Sequence, residues 1–159
     1  MTELTHLDHD GHAHMVDVGD KAVTARRATA RARVLMSPET FALLASGTTP
    51  KGDVLAAARI AGIQASKLTS QLIPLCHVIA LTRVEIAITL EDGVALVDAT
   101  AEARDRTGVE MEAMVAASVA ALTLYDMLKA VDRGMSFDVA LVEKTGGKTG
   151  TWRREGDAP

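Results

Sequence analysis

The sequence predicts an α+β fold, in which an antiparallel sheet carries its helices on one face, and three observations lead to this prediction. Residues 28–36 and 81–90 alternate apolar and polar side chains, which is the period of a half-buried strand. Residues 107–133 instead have the composition of one long apolar helix. The predicted order is strand, one or two helices, strand, strand, helix, strand. This order is the split βαβ pattern of a ferredoxin-like sandwich.

The first half of the chain is divided by clear end signals. The strand over residues 28–36 has a basic outer face, because its polar positions include two arginines. Ser-Pro at residues 37–38 supplies an N-cap and a first-turn proline for a short helix that Gly47 ends. Asp53 is the predicted N-cap of a second helix, which continues to about Leu72.

The second half supplies a hairpin, the long helix and a last strand. Glu-Asp-Gly at residues 91–93 predicts a hairpin turn, and the long helix is expected to end at Gly134. Residues 136–143 are the predicted last strand. No remaining segment can cover the second face of the sheet, so we expect self-association. The long helix also has small residues that allow another backbone to approach closely: Ala116, Ala117, Ala120 and Ala121.

Length and composition narrow the function classes. A chain of 159 residues predicts a single domain. We expect a flexible N-terminal arm (1–20), one ferredoxin-like domain (21–150) and a C-terminal tail (151–159). A net charge of −4 gives no electrostatic case for a general nucleic-acid binder. Cys76 is the only cysteine, which excludes an internal disulfide and suits a reducing compartment.

No membrane association is expected. The uncharged run over residues 113–125 is shorter than the ~20 residues that a membrane span needs. The N-terminus lacks a basic stretch followed by an apolar one, which a secretory signal would have. We therefore expect a cytoplasmic protein.

The N-terminal arm contains a group of histidines and aspartates. Imidazoles and carboxylates are suitable metal ligands, but no helix or strand signal here fixes their geometry, so a loosely docked arm is the preferred interpretation and no metal site is assigned. The residues of this group are His6, His9, His12, His14, Asp8 and Asp10.

Three polar residues interrupt the long apolar helix. Asp126 and Lys129 are neighbours on its surface, and Glu112 borders the same stripe. Glu112 and Asp126 are 14 residues apart, which corresponds to ~21 Å along a helix and is too far for one compact site. Two functions, a long ligand or a second subunit would each resolve this distance. The alternative is a capping acid and an ordinary ion pair that stabilise the helix.

Other candidates lie in loops. Lys51 precedes a helix N-terminus, where anions are favoured, although it also fits a solvated loop lysine. Cys76 and His77 follow a helix-breaking proline; the cysteine is either a nucleophile or a small core residue, and His77 is the better functional candidate. Lys144 and Lys148 flank two glycines in a segment that is not a Walker A motif, and they are either an anion-binding tail or a solvated charge cluster.

Seven motifs in this order resemble the cyclic pyranopterin monophosphate synthase family, the C protein of molybdenum cofactor biosynthesis. The similarity covers nearly the whole chain. The motifs are Met-Val-Asp-Val (15–18), Lys-Gly-Asp (51–53), Ala-Arg-Ile-Ala-Gly (58–62), Leu-Ile-Pro-Leu-Cys-His (72–77), Thr-Gly-Val-Glu-Met-Glu-Ala (107–113), Tyr-Asp-Met (125–127) and Gly-Gly-Lys (146–148).

The resemblance implies a homohexamer, a trimer of dimers, with active sites at subunit interfaces. Its implied reaction converts (8S)-3′,8-cyclo-7,8-dihydroguanosine 5′-triphosphate to cyclic pyranopterin monophosphate and releases diphosphate. By similarity, Asp126, Lys51 and Lys129 are catalytic. The implied substrate-binding residues are Leu75, Cys76, His77, Met111 and Glu112.

This chemistry fits the residue types. Rebuilding a guanine as a pterin requires proton transfers, which lysines can perform when burial or another cation lowers their pKa. Displacing diphosphate places charge on the leaving group, and positioned cations stabilise it. We expect Lys144, Lys148 and Arg26 to hold the triphosphate. No residue pattern requires a cofactor, and Mg²⁺ is left open as a companion of the triphosphate.

The chain departs from the family pattern at a few positions. Val78 stands where proline is usual, Leu128 where cysteine is frequent, and Asp105-Arg106 precedes the Thr-Gly pair in a less usual form. The Val78 change could shift the His77 loop. Three other classes stay open: a phosphate-ligand binding module, a small metalloenzyme that uses the histidine arm, and a structural assembly protein.

Overall fold

The computed structural model describes residues 6–156 and contains an open five-stranded antiparallel sheet with helices, which confirms the predicted α+β class. The sheet order is β2-β3-β1-β4-β5, and its first four strands have the order expected of a ferredoxin-like sandwich. The elements are β1 (Thr24–Leu35), α1 (Pro38–Ser46), α2 (Val54–Ser66), α3 (Thr69–Leu72), β2 (Leu81–Glu91), β3 (Val94–Asp105), α4 (Glu110–Leu128), β4 (Ser136–Thr145) and β5 (Trp152–Arg153).

The two faces of β1 differ as the alternation predicts. Its apolar positions are buried beneath α4, beginning with Ala28 and ending with Val34. The opposite face is polar: the Arg31 guanidinium donates two hydrogen bonds to the Asp98 carboxylate, at 2.6 and 2.8 Å. Alanines fill much of the interior, so the helix layer lies close to the sheet.

The helices α2 and α4 meet through small residues, so the close approach that the alanines of the long helix allow is made within the chain. A Cβ atom on Gly62 would lie 2.9 Å from the carbonyl oxygen of Ala116 and 3.2 Å from the Cβ of Ala120. No side chain larger than hydrogen fits there without displacement. The contact therefore fixes the position of α4, both ends of which carry candidate site residues.

Helix α4 by itself is long and apolar enough to cross a membrane, and it is the only such helix among residues 6–156. In the fold, however, it is the core helix, packed against α2 and against β1, β3 and β4. Nine of its residues are buried. Its apolar composition is therefore explained by the core.

The structure differs from the predicted elements in several details, and β1 already begins at Thr24 rather than at residue 28. The long helix does not continue to residue 133: it ends at Leu128, whose carbonyl oxygen accepts hydrogen bonds from the amides of Val131 and Asp132 in a closing turn. The second helix stops at Ser66, because the following turn leaves the helical path before the short α3. The strand β5, which pairs with Glu143 and Lys144, was not predicted, since two residues give no periodic signal.

Candidate functional site

The N-terminal end of α4 forms one wall of a cleft of about 360 Å³. The β3–α4 loop, the loop after α3 and the segment before β1 form the other walls. All five residues that the resemblance assigns to substrate binding line this cleft: Leu75, Cys76, His77, Met111 and Glu112.

A hydrogen bond to the N-terminal segment positions the His77 ring. Its Nε2 lies 2.8 Å from the carbonyl oxygen of Val16. Val16 and Val18, from the Met-Val-Asp-Val motif, also line the cleft. The motif therefore contacts the loop after α3 and closes one side of the cleft.

Lys21 also lines the cleft, although sequence reasoning did not select it. Its backbone amide donates to the Val18 carbonyl, and its own carbonyl accepts a bond from the Arg106 side chain. The signal that could have found it is its position three residues after the Met-Val-Asp-Val motif, with no other lysine before β1.

Glu112 is a buried acid in the first turn of α4, only 3% exposed. Burial raises its pKa to about 7, and the negative charges of Glu110 and Asp105 add to the shift, against an opposing hydrogen bond from its own backbone. Near neutral pH this carboxyl group can therefore either donate or accept a proton.

The electrostatics of the cleft disfavour a nucleophilic thiolate. Burial raises the pKa of the Cys76 thiol, and the Glu112 carboxylate raises it further. A thiol with a raised pKa stays protonated at neutral pH. Cys76 is thus better suited to contact a ligand than to attack one.

The C-terminal end of α4 has the opposite character, because its groups are exposed and two lysines surround its one acid. The Lys51 Nζ donates a hydrogen bond to the backbone carbonyl oxygen of Asp126, at 2.9 Å. The Lys129 Nζ lies 2.6 Å from Asp126 Oδ1. The structure therefore brings Lys51, Asp126 and Lys129 together, although 75 residues separate the first two.

This contact shifts two pKa values in opposite directions. The hydrogen bond from Lys129, together with the charges of Lys129 and Lys51, lowers the pKa of Asp126. The same hydrogen bond and the carboxylate charge raise the pKa of Lys129. Lys129 is therefore held as a cation, which is the reverse of the lowered pKa that sequence reasoning associated with proton-transferring lysines.

Lys51 is positioned by the turn that starts α2. Gly52 adopts a φ of +83°, a left-handed conformation that favours glycine. Asp53 then caps the helix by accepting a hydrogen bond from the amide of Ala56 at 2.9 Å. The Lys-Gly-Asp motif thus directs the chain from the lysine into the helix.

The remaining predicted cations are not among the residues that line the cleft. Arg26 donates hydrogen bonds to the carbonyl oxygens of Asp105 and Arg106, at 3.2 and 3.1 Å, and so supports the loop before α4. Lys144 contacts the hydroxyl of Thr149, and Lys148 is exposed. Arg26 therefore contacts the loop that forms one wall of the cleft, but its side chain is not part of the lining.

Comparison with known sequences covers both ends of α4. A sequence model described as the MoaC family matches residues 15–147, which is most of the chain. The chain belongs to the MoaC family. This match includes the cleft from Val16 onward and the Lys51–Asp126–Lys129 cluster, and it excludes the histidine-rich segment before residue 15.

Relatives match over nearly their whole length. A protein of Thermomicrobium roseum is 58% identical over 99% of this chain and 96% of its own length. One from Chloroflexus aurantiacus is 56% identical over 96% of this chain and 95% of its own, and one from Chloroflexus aggregans is 55% identical over 98% and 96%. Each bears the name cyclic pyranopterin monophosphate synthase.

Proposed function

We propose that this chain is a cyclic pyranopterin monophosphate synthase, a lyase of molybdenum cofactor biosynthesis. It converts (8S)-3′,8-cyclo-7,8-dihydroguanosine 5′-triphosphate to cyclic pyranopterin monophosphate with release of diphosphate. The observation that carries this conclusion is 58% identity to a protein of that name over 99% of the chain. The cytoplasm is the expected compartment for a biosynthetic enzyme whose only cysteine is unpaired.

The active site is proposed to combine the two ends of α4 from different subunits of a homohexamer. Glu112 and Asp126 are 14 residues apart, about 21 Å along a helix. One compact substrate cannot contact both residues of one chain at once. A two-fold axis that places the cleft of one subunit beside the cluster of its partner removes this difficulty.

Each group then has a distinct role. Lys129, held as a cation by Asp126, donates a proton or stabilises charge that develops on the leaving diphosphate. Lys51 takes part in the proton transfers of ring opening and closure, and Asp126 orients Lys129. In the cleft, Glu112 exchanges a proton near neutral pH and His77 contacts the purine.

A direct assay tests the reaction. Purified enzyme is incubated with the cyclised dihydro-GTP, and diphosphate and the pterin chromophore are measured; both should appear together, in equal amounts. A phosphate-ligand binding module would bind the triphosphate without consuming it. That result would refute the proposed activity.

Mixing subunits tests the composite site. Lys51→Ala and Glu112→Gln hexamers are each expected to be nearly inactive. If each site takes Lys51 from one subunit and Glu112 from the other, half of randomly paired dimers hold one intact site. Dissociating and reassembling an equal mixture should then restore about a quarter of wild-type activity. A site built within one chain would show no recovery, so a mixture as inactive as its parents contradicts the arrangement.

A further inference from the structure

Residues 6–14, which lie before the segment that the MoaC family match covers, form a small β-hairpin. Leu7 and Ala13 face each other as a bridge pair. Beside them, the His14 amide donates to the His6 carbonyl at 3.0 Å, and the Asp8 amide donates to the His12 carbonyl at 2.9 Å. The hairpin register is therefore fixed by two backbone hydrogen bonds.

The turn of this hairpin is encoded by its residues. The Gly11 amide donates to the Asp8 carbonyl at 3.1 Å, and Gly11 has a φ of +81°, as expected at the left-handed position of a three-residue hairpin loop. The Asp8 Oδ1 accepts hydrogen bonds from the amides of Asp10 and His12, at 2.9 and 2.8 Å. The second oxygen of Asp8 makes neither of these bonds.

The register groups the histidines. Side chains alternate between the two faces of a strand, so Leu7 and Ala13 share one face. The opposite face, termed here the histidine face, carries His6 and His14 as one cross-strand pair and Asp8 and His12 as the next. Three imidazoles and a carboxylate thus occupy neighbouring positions on one side of a nine-residue hairpin.

One pair on the histidine face is already near coordination spacing. The Asp8 Oδ2 lies 3.6 Å from the His12 Nδ1. In a tetrahedral zinc site with bonds of about 2.0 Å, neighbouring ligand atoms are about 3.3 Å apart. Because all three imidazole-bearing residues are exposed, their side chains can rotate toward an ion without disturbing the core.

We propose that the histidine face binds one divalent transition-metal ion, such as Zn²⁺, through His6, His12 and His14, with Asp8 as the fourth ligand. Neutral imidazoles with one carboxylate favour zinc, nickel or copper over magnesium or calcium. His6 also lines the substrate cleft, so the ion sits at the edge of that cleft. The proposal does not depend on the proposed enzymatic activity.

A second group in the same hairpin provides an internal comparison. Ligand atoms of Asp8, His9 and Asp10 lie within 4.8 Å of one another at the turn. This group offers only one imidazole, and its two carboxylates are donors better suited to hard cations. The histidine face is therefore the expected zinc site, and His9 is not one of its ligands.

Calorimetric titration of the untagged, chelator-treated full-length chain with Zn²⁺ tests the site. One ion per chain is expected, and His12→Ala and His14→Ala should each weaken binding at least tenfold. His9→Ala, the matched variant in the same hairpin, should bind like wild type. Co²⁺ titration should give visible absorption bands that His14→Ala removes.

Three results would overturn the proposal. One is the absence of binding to the wild-type chain. Another is equal weakening by His9→Ala and His12→Ala, which would indicate non-specific capture by a histidine-rich segment. The third is that His77→Ala loses binding while His12→Ala binds like wild type, which would place the ion in the cleft. Since the hairpin histidines are exposed, their replacement leaves folding intact, which circular dichroism verifies.

Discussion

The two ends of α4 carry acids whose pKa values are shifted in opposite directions. Glu112, near the N-terminal end, is buried and has a pKa raised to about 7. Asp126, near the C-terminal end, is exposed beside two lysines and has a lowered pKa. The difference arises because burial penalises the charged form, whereas neighbouring cations favour it. One helix therefore carries, at one end, a carboxyl group that can exchange a proton near neutral pH and, at the other, a carboxylate that neighbouring cations hold in its charged form.

The two ends of α4 offer different properties to the proposed substrate. The buried end offers a shaped cleft, and the exposed end offers cations that are held in place but open to solvent. Binding a polyanionic purine needs both properties. The cleft has one lysine in its lining, Lys21, whereas Lys51 and Lys129 lie at the other end of α4. These complementary properties favour the proposed assembly across a subunit interface.

Removing a cation from the exposed end should have the largest effect. Lys129→Ala or Lys51→Ala is expected to lower turnover about 100-fold or more, because each removes a group proposed to transfer protons or stabilise charge. Steady-state diphosphate release measures this, with each variant first shown to have the same assembly size as the wild type. Lys67→Ala, an exposed lysine at the end of α2, is the matched control and should keep full turnover. Near-normal turnover in both test variants would refute the catalytic roles proposed for Lys51 and Lys129.

Neutralising the buried acid should stabilise the fold while damaging activity. Because the pKa of Glu112 is raised from 4.5 to about 7, the folded chain binds more protons than the unfolded chain across that interval, and stability falls as pH rises through it. Glu112→Gln should remove this loss, about 3 kcal/mol at pH 8.

Urea unfolding of Glu112→Gln at pH 5 and pH 8, at one protein concentration, measures the change. Glu39→Gln provides the control, since Glu39 also lies in the first turn of a helix but is exposed. It should leave the pH dependence unchanged. An unaltered pH slope in Glu112→Gln would show that burial does not control this carboxyl group.

Enlarging Gly62 should disturb both ends of α4 by displacing the helix between them. Gly62→Ala places a methyl group 2.9 Å from the Ala116 carbonyl oxygen, so we expect a loss of about 1–3 kcal/mol in the free energy of unfolding. Chemical denaturation measures this. The sign of this change tests the α2–α4 contact. On a free helix surface, replacing glycine by alanine would instead raise the free energy of unfolding by up to about 1 kcal/mol.

The smallest effect is expected from Asp126→Asn, which keeps the shape of the exposed cluster. The free energy of unfolding should hardly change, because the ion pair with Lys129 is exposed. Loss of the carboxylate removes the interaction that raises the pKa of Lys129. The alkaline limb of the pH–rate profile should therefore move to lower pH, with about a tenfold loss at the optimum. If the alkaline limb stays at the same pH, Lys129 is not the group whose deprotonation limits the rate.

Periodicity made most of the architecture predictable. Alternation located β1 and β2, and the Glu-Asp-Gly turn located the hairpin. The small residues of α4 predicted a close backbone neighbour without identifying it as α2. The predictions that were wrong concern segments whose ends are set by contacts with distant residues. Residues 129–133 have helical composition but are held in a turn by Asp132, whose carboxylate accepts from the amides of Ser37 and Gly134.

For the candidate site, sequence reasoning found Asp126 and Lys129 as surface neighbours, since three residues apart means one helical turn. It could not place Lys51 beside them, because that contact joins residues 75 apart. It also missed Lys21, which reaches the cleft from the segment before β1.

Local sequence alone determined the strands, the turns, the small-residue helix and the family motifs, because these depend on side chains a few positions apart. Only the tertiary structure decided the raised pKa values of Glu112 and Lys129. It also decided that the cleft and the lysine cluster lie at opposite ends of α4. Those properties depend on burial and on charges brought together from distant parts of the chain, and neither is expressed in the spacing of residues along it.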